Sequence, residues 1–254
     1  MRHFKWQAEI AVPNAAVNGY MRHCAGIDIS VWEQVEDGPS SYHWASPHLE
    51  SLEVVRHVED RASALLALWH GAMIAGYGPD FPSVSPGALS GSGGRTAHFS
   101  GDWRVSPFDG AVLRSPLRKS QADMLSGSLV DSAIFLARND EALQHRLQSL
   151  GRHGPTGAEL YKLCEFMKAQ LGWGPDAVDR EGQAPSGGFT ERFRGTINNP
   201  ALTSIDGRHG GAGNTKPMKR SPVFAEDAAP VIVLAFAQAI IELGKRRSAE
   251  VSDL

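Results

Sequence analysis

A stretch near the C-terminal end of the chain concentrates side chains that can act on a phosphodiester. It runs from Phe193 to Gly210 and precedes one long apolar helix. An imidazole titrates near neutrality while a guanidinium stays charged, so an Arg–His pair can perform acid–base chemistry without a metal. The acid–base candidate is His209, which follows Arg208 and lies between glycines that favour exposure. The alternative is a loop whose basic residues are merely solvated.

Neighbouring residues would complete this site. Arg194 or Arg208 would supply the positive charge, and an amide of Asn198 or Asn199 would orient the imidazole or a substrate oxygen. Because Asn199 precedes Pro200, these amides alternatively build a turn. Three basic residues of a segment without acidic residues are candidate phosphate contacts: Lys216, Lys219 and Arg220.

A second Arg–His spacing occurs at Arg138 and His145, with six residues between them. On one continuous helix this spacing places both side chains on one face, two turns apart. The chain contains 10 histidines, so such pairs also arise by chance. A structural or surface role for both residues is the alternative.

Other common kinds of site are not indicated. The histidines are scattered and no His-Glu-x-x-His or Cys-x-x-Cys pattern occurs, so we expect no metal or other cofactor. The glycine-serine tract 87–94 lacks the Gly-Lys-Ser/Thr ending of a phosphate-binding loop and is predicted to be a plain loop. Cys24 and Cys164 lie far apart in the sequence. We predict that both are core thiols in a reduced compartment.

The overall composition is typical of a globular protein. The 254 residues are 42% hydrophobic and 21% charged, which suits one large domain or two modest ones. A net charge of −3 and a pI near 6.4 argue against extended binding to duplex nucleic acid. Residues 1–13 lack the hydrophobic segment of a signal peptide, and the apolar run 231–241 is shorter than the roughly 20 residues of a membrane span. We expect a soluble, cytoplasmic protein without a membrane partner.

The elements that position these residues differ between the two parts of the chain. The sequence pattern of residues 1–118 predicts an α+β module with a sheet and one long helix. Alternation with period two over residues 4–10 and 27–32 predicts strands of an antiparallel sheet. Apolar residues at helical spacing predict a helix from Leu52 to Ala75 that covers one face of the sheet.

Residues 119–254 predict a bundle of helices. The helices are expected over Gln121 to Arg138, Glu141 to Leu150, Ala158 to Leu171 and about Ala228 to Leu243. The segment 173–188 is predicted to be a loop, and Phe193 and Ile197 are expected to anchor the candidate site to the core. The last helix is apolar on nearly every side, so it must be buried in a bundle or an interface. Pro230 fits this helix only in its first turn.

Four segments carry a resemblance to a known family. They are Leu160 to Glu165, Phe193 to Asn199, Arg208 to Gly210 and the alanine-rich final helix. With them the C-terminal half, roughly Lys119 to Gly244, resembles the HEPN superfamily, in particular bacterial proteins related to the abortive-infection C-terminal domain. The implied fold is an α+β N-terminal module followed by an all-α HEPN-like helical bundle.

The resemblance also implies an activity. Many HEPN proteins are metal-independent endoribonucleases that act as dimers, so we expect a homodimer that cleaves single-stranded RNA. A phage-defence or toxin effector with a partner protein from the same system would fit this activity. The abortive-infection motif opens on Arg-Asn and closes on His-Gly, whereas Ile197-Asn198 stands at the opening here and the gap to His209 is longer. The alternative is therefore a non-catalytic HEPN-like binding or sensor module.

Overall fold

The computed structural model describes residues 4–11, 28–35, 41–113, 128–199, 202 and 221–252, and these residues form an α+β fold. The described strands are β1 Trp6–Ala11, β2 Ser30–Gln34, β3 Ser41–Ala45, β4 Ser85–Gly91 and β5 Arg95–Ala97. The described α-helices are α1 Val55–Tyr77, α2 Gly110–Leu113, α3 Leu129–Ala137, α4 Glu141–His153, α5 Gly157–Leu171, α6 Pro175–Glu181, α7 Phe189–Ile197 and α8 Ala225–Ser252. One 3-10 turn covers Pro47–Leu49.

The contacts divide the chain into two compact units. Unit 1 comprises Met1–Met73 and Phe81–Arg152, and unit 2 comprises Ile74–Asp80 and His153–Leu254. The sheet, α3 and almost all of α4 therefore belong to unit 1. The predicted domain boundary between residues 118 and 119 lies outside the described residues and stays a prediction.

Unit 1 is built on an antiparallel sheet with the strand order β2-β3-β1-β4-β5. Residues alternate between buried and exposed along β1, with Trp6, Ala8 and Ile10 buried. Ala8 lies opposite Trp44 of β3 and Leu89 of β4, so the three side chains share the buried face. The two predicted strands are confirmed as members of one antiparallel sheet, although β3 lies between them.

The tract 87–94 is not a plain loop, contrary to the sequence prediction. It contains most of β4 and the turn to β5, and Leu89 lies opposite Ala97 across this hairpin. Gly91 is needed at its position because a Cβ there would lie 2.5 Å from the ring of Trp6. The small residues make room for a buried indole, which the sequence pattern alone does not reveal.

Helix α1 confirms the predicted long helix within three residues at each end and buries Leu65, Leu68 and Trp69. It is in close contact with α4, because a Cβ at Gly151 would lie 1.9 Å from the carbonyl oxygen of Ala67. The predicted end of α4 at Gly151 is wrong, because this glycine lies inside the helix and permits the close contact with α1. The helix continues to His153, and Gly154 follows with a φ of +68° that favours glycine.

Unit 2 is formed mainly by α5, α6, α7 and α8. Helix α5 begins after Thr156, whose hydroxyl accepts a hydrogen bond from the Glu159 N–H, and it ends as predicted at Gly172, where φ is +72°. The predicted loop 173–188 instead contains α6. This short helix starts at Pro175, the first helical position, where the missing N–H of proline removes no helical bond.

Helix α8 is longer than predicted and packs against α5, α6 and α7. Pro230 lies beyond the first turn, contrary to the sequence prediction, and is tolerated on the exposed side of the helix. The buried side includes Phe236, whose ring contacts Phe166 of α5 edge to face at 5.7 Å. In the described part of the chain, α8 is long and apolar enough to span a membrane over Ala225–Arg247. Its apolar segment is 56% buried, which is consistent with the core helix of a soluble protein.

Candidate functional site

Helix α7 carries the described part of the predicted site, and its first turn is held by unit 2. The helix follows Gly188, which has no side chain to cap the free N–H groups. The buried carboxylate of Asp179 takes this role and accepts hydrogen bonds from the N–H groups of Phe189 at 2.9 Å and Thr190 at 2.8 Å. The start of α7 is therefore fixed to α6.

The last turn of α7 is fixed as well. Phe193 is fully buried and Ile197 is 3% exposed, which confirms both as anchors to the core. The buried Thr196 hydroxyl donates to the Arg192 carbonyl at 2.9 Å and accepts from the Val223 N–H at 3.0 Å. These contacts set the rotation of α7 about its axis and thereby place Arg194 and Asn198, one helical turn apart.

The guanidinium of Arg194 is held by two residues of α5. Its Nη2 donates to Glu165 Oε1 at 2.8 Å and to the Tyr161 hydroxyl at 3.4 Å, and its Cζ lies 5.3 Å from the centre of the Tyr161 ring. Nε and Nη1 make no hydrogen bond within the described residues. The Arg194 side chain as a whole is 21% exposed. Within the described residues, one nitrogen of this guanidinium is anchored and the other two have no partner.

The pKa values of two groups at this site, Arg194 and Cys164, are shifted upward. Burial lowers the pKa of Arg194, but the hydrogen bond with Tyr161 and the attraction of Glu165 outweigh it, so the net pKa shift is upward. Burial raises the pKa of the neighbouring Cys164 thiol to about 12, against a smaller lowering by Arg194. Cys164 is thus a neutral core thiol, as predicted, and Arg194 is the permanent charge of this site.

The two asparagines follow at the end of α7. Asn198 caps the helix through its backbone, and its buried Oδ1 has no hydrogen-bond partner in the described part of the chain. The Asn199 N–H donates to the Thr196 carbonyl at 3.0 Å, and the Asn199 carbonyl accepts from the Leu202 N–H at 3.0 Å. The Asn198 amide oxygen is therefore an acceptor that no donor of the described residues uses. The remaining predicted site residues lie outside the described residues: Arg208, His209, Lys216, Lys219 and Arg220.

Arg138 and His145 do not share one helix, contrary to the interpretation of their spacing. Arg138 caps the end of α3, and His145 belongs to α4, which begins at Glu141. His145 Nε2 lies 3.5 Å from the Glu141 carboxylate at the surface. The structure does not bring Arg138 and His145 together as a pair. Their positions agree with the alternative, in which each residue has a structural or surface role.

Arg138 instead belongs to a buried network in unit 1 that the sequence did not reveal. Its Nη2 donates to Asp28, and the other oxygen of Asp28 lies 2.7 Å from His48 Nε2. The Asp109 N–H donates to His48 Nδ1 at 2.9 Å, so that nitrogen carries a lone pair and Nε2 carries the proton. The His48 imidazole is therefore neutral and fully buried. This Arg–Asp–His arrangement is closed to substrate and connects separate segments of the fold.

Two partners of the candidate site, Tyr161 and Glu165, lie within the segment Leu160 to Glu165, and sequence reasoning did not assign either of them to the site. They come from α5, 33 and 29 residues before Arg194. The signal in the sequence was their spacing of four residues on a helix, because this spacing places both side chains on one face.

Within the described residues, no group of three or more His, Cys, Asp and Glu side chains could hold a metal ion. Comparison with protein-family models, curated proteins and solved structures returned no match.

Proposed function

We propose that the chain is a metal-independent endoribonuclease that cleaves single-stranded RNA, with Arg194 contacting the scissile phosphate. Two nitrogens of the Arg194 guanidinium carry this proposal, because Nε and Nη1 have no partner within the described residues and the side chain is 21% exposed. Phosphate oxygens accept charge-assisted hydrogen bonds from such donors. Arg138 is unsuitable for this role, since it is 7% exposed and paired with Asp28.

In the proposed reaction, His209 acts as the general base on a ribose 2′-hydroxyl. The 2′-oxygen then attacks the adjacent phosphorus, the bond from phosphorus to the 5′-oxygen breaks, and the 5′-oxygen takes up a proton. One product ends in a 2′,3′-cyclic phosphate and the other begins with a 5′-hydroxyl. Arg194 or Arg208 stabilises the negative charge of the transition state, and Asn198 or Asn199 accepts from the imidazole N–H and orients the ring.

The resemblance of the C-terminal half to the HEPN superfamily supports this assignment. We extend the proposal to an HEPN-like bundle, a homodimer and a role as a phage-defence or toxin effector beside a partner protein of the same system. Helix α8 does not by itself require a second copy, because it packs against helices of its own unit. Light scattering after gel filtration measures the oligomeric state.

Cleavage of a labelled single-stranded RNA in excess EDTA tests the activity. Wild-type protein is expected to cleave and to leave cyclic phosphate ends. His209→Ala is expected to slow cleavage by about 10²–10⁴-fold, and Arg194→Ala by about 10²–10³-fold. His57→Ala and Arg192→Ala are matched controls and keep the wild-type rate, since His57 is exposed on α1 and Arg192 bonds to residues of its own segment.

Two results would contradict the endoribonuclease proposal. One is a wild-type protein that does not cleave RNA, and the other is equal cleavage by wild type and His209→Ala. A wild-type protein that binds RNA without cleaving it would instead favour the non-catalytic HEPN-like binding or sensor module.

The basic segment supplies further contacts in this proposal. Lys216, Lys219 and Arg220 each contact a phosphate of single-stranded RNA. Replacing one of them by alanine is expected to reduce the salt dependence of the affinity by about 0.7 in the log–log slope. Fluorescence anisotropy over a range of salt concentrations measures this slope.

A further inference from the structure

The contact between α5 and Arg194 has a geometry that restrains the guanidinium in two directions. Glu165 Oε1 accepts a hydrogen bond from Nη2 at 2.8 Å, and the Arg194 Cζ lies 5.3 Å from the centre of the Tyr161 ring. Tyr161 and Glu165 are four residues apart, so they belong to one face of α5. Both hydrogen bonds use the same nitrogen, Nη2, and within the described residues the donors on Nε and Nη1 have no partner.

This ion pair contributes little to the stability of the fold. The side chains of Arg194 and Glu165 are 21% and 44% exposed. Ion pairs with this degree of exposure stabilise a protein by at most about 1 kcal/mol. The contact therefore restrains the Arg194 side chain by no more than this free energy, and the fold does not depend on it.

We infer that Glu165 is a positioning residue, supported by Tyr161, that holds Arg194 so that its free N–H groups meet a phosphodiester in one orientation. This inference rests on the proposed function. A preoriented guanidinium loses less side-chain entropy when it meets the transition state. The Glu165 carboxylate also repels the phosphate, so it weakens ground-state binding while it improves alignment.

Opposite effects on cleavage and binding distinguish positioning from a purely structural role. Glu165→Ala is expected to slow single-turnover cleavage by up to about fivefold, the fold-change that corresponds to about 1 kcal/mol. The same variant is expected to bind a non-cleavable 2′-deoxy analogue as tightly as wild type or up to about fivefold tighter, because a repelling charge is gone. Glu165→Gln keeps an acceptor for Arg194 and is expected to recover part of the rate.

The matched control is Glu181→Ala, which removes another surface ion pair in unit 2, that of Arg180 and Glu181 at 3.0 Å. This variant is expected to keep the wild-type rate and affinity. A Glu165→Ala protein that cleaves at the wild-type rate would overturn the inference. Parallel losses of rate, affinity and thermal stability would overturn it as well, since they indicate a structural role.

A wild-type protein that does not cleave RNA would refute the proposed function but not the positioning role of Glu165. A nitrogen-15 NMR measurement tests that role independently of cleavage. The Arg194 side-chain signals, assigned by loss in Arg194→Lys, are expected to show slow rotation of the guanidinium in wild type. In Glu165→Ala this rotation is expected to be faster. Equal rotation rates in both proteins would refute the positioning role.

Discussion

Arg138 is a charged side chain held inside unit 1, and its removal is expected to destabilise the fold strongly. Arg138 and Asp28 are 7% and 6% exposed, so Arg138→Met leaves a buried carboxylate without its guanidinium. Breaking a buried pair from one side costs about 3–5 kcal/mol. Urea denaturation measures the change in the free energy of unfolding. The control Arg104→Met removes an exposed pair with Asp102 and is expected to cost far less than Arg138→Met. Equal costs would contradict the buried network.

Cys164 is expected to resist thiol reagents in the folded protein. Burial raises its pKa to about 12, above the value of 9.0 for a free thiol, so the thiolate is scarce at pH 8. In a Cys24→Ser background, a chromogenic disulfide reagent should label one thiol only after addition of denaturant. Because the folded pKa is the higher one, this group's contribution to stability is complete below pH 9 and is lost as the pH rises towards 12. Rapid labelling of native protein would contradict the burial.

The residues of the candidate site were predictable from the sequence only where they are local. Arg194 and Asn198 stand out through their residue types, and the apolar spacing of Phe193 and Ile197 indicates which side of the segment is buried. The partners of Arg194 come from another helix, so only the tertiary fold shows that Glu165 engages it. The same holds for Arg138, whose sequence neighbourhood suggests His145 as partner while the fold supplies Asp28.

The contact between α1 and α4 depends on two glycines. A Cβ at Gly151 would lie 1.9 Å from the Ala67 carbonyl oxygen, and one at Gly71 would lie 1.9 Å from the Leu147 carbonyl oxygen. Gly151→Ala is therefore expected to destabilise unit 1 by about 1–3 kcal/mol, although alanine favours a helix by about 1 kcal/mol over glycine. Thermal denaturation measures the effect. Gly187→Ala, where a Cβ meets no atom within 4 Å, is the control with little expected change. A stabilised Gly151→Ala protein would show that the helices are farther apart.

Elements with a strong apolar period were predictable, and those built around small residues were not. Helix α1 and strand β1 follow their burial patterns closely. In contrast, β4 consists largely of glycine, serine and alanine, and it forms a strand because β1 and β5 pair with its backbone on both sides. Glycine also has two opposite uses here: Gly172 ends a helix, whereas Gly151 lies inside one and permits a close contact. The sequence does not distinguish these uses because the second depends on a neighbouring helix.

At the scale of the whole chain, the alternation of strands and one long helix followed by several helices was sufficient to predict an α+β fold. The division of the chain into two compact units was less predictable. Helices α3 and α4 share the apolar period of the later helices, yet they belong with the sheet in unit 1. Periodicity shows that a helix face is buried but not which element covers it.

Helix α8 is the element of the described chain whose burial can be tested with a detergent. It is long and apolar enough to span a bilayer over Ala225–Arg247, but 56% of its apolar segment is buried among other helices of unit 2. The folded protein is therefore expected to remain in the aqueous phase when a Triton X-114 solution is warmed to separate. Protein partly unfolded by mild denaturant is the control, and it is expected to shift towards the detergent phase as α8 becomes exposed. Native protein that enters the detergent phase would contradict the burial of α8, because an apolar helix covered by its own chain offers the detergent little surface.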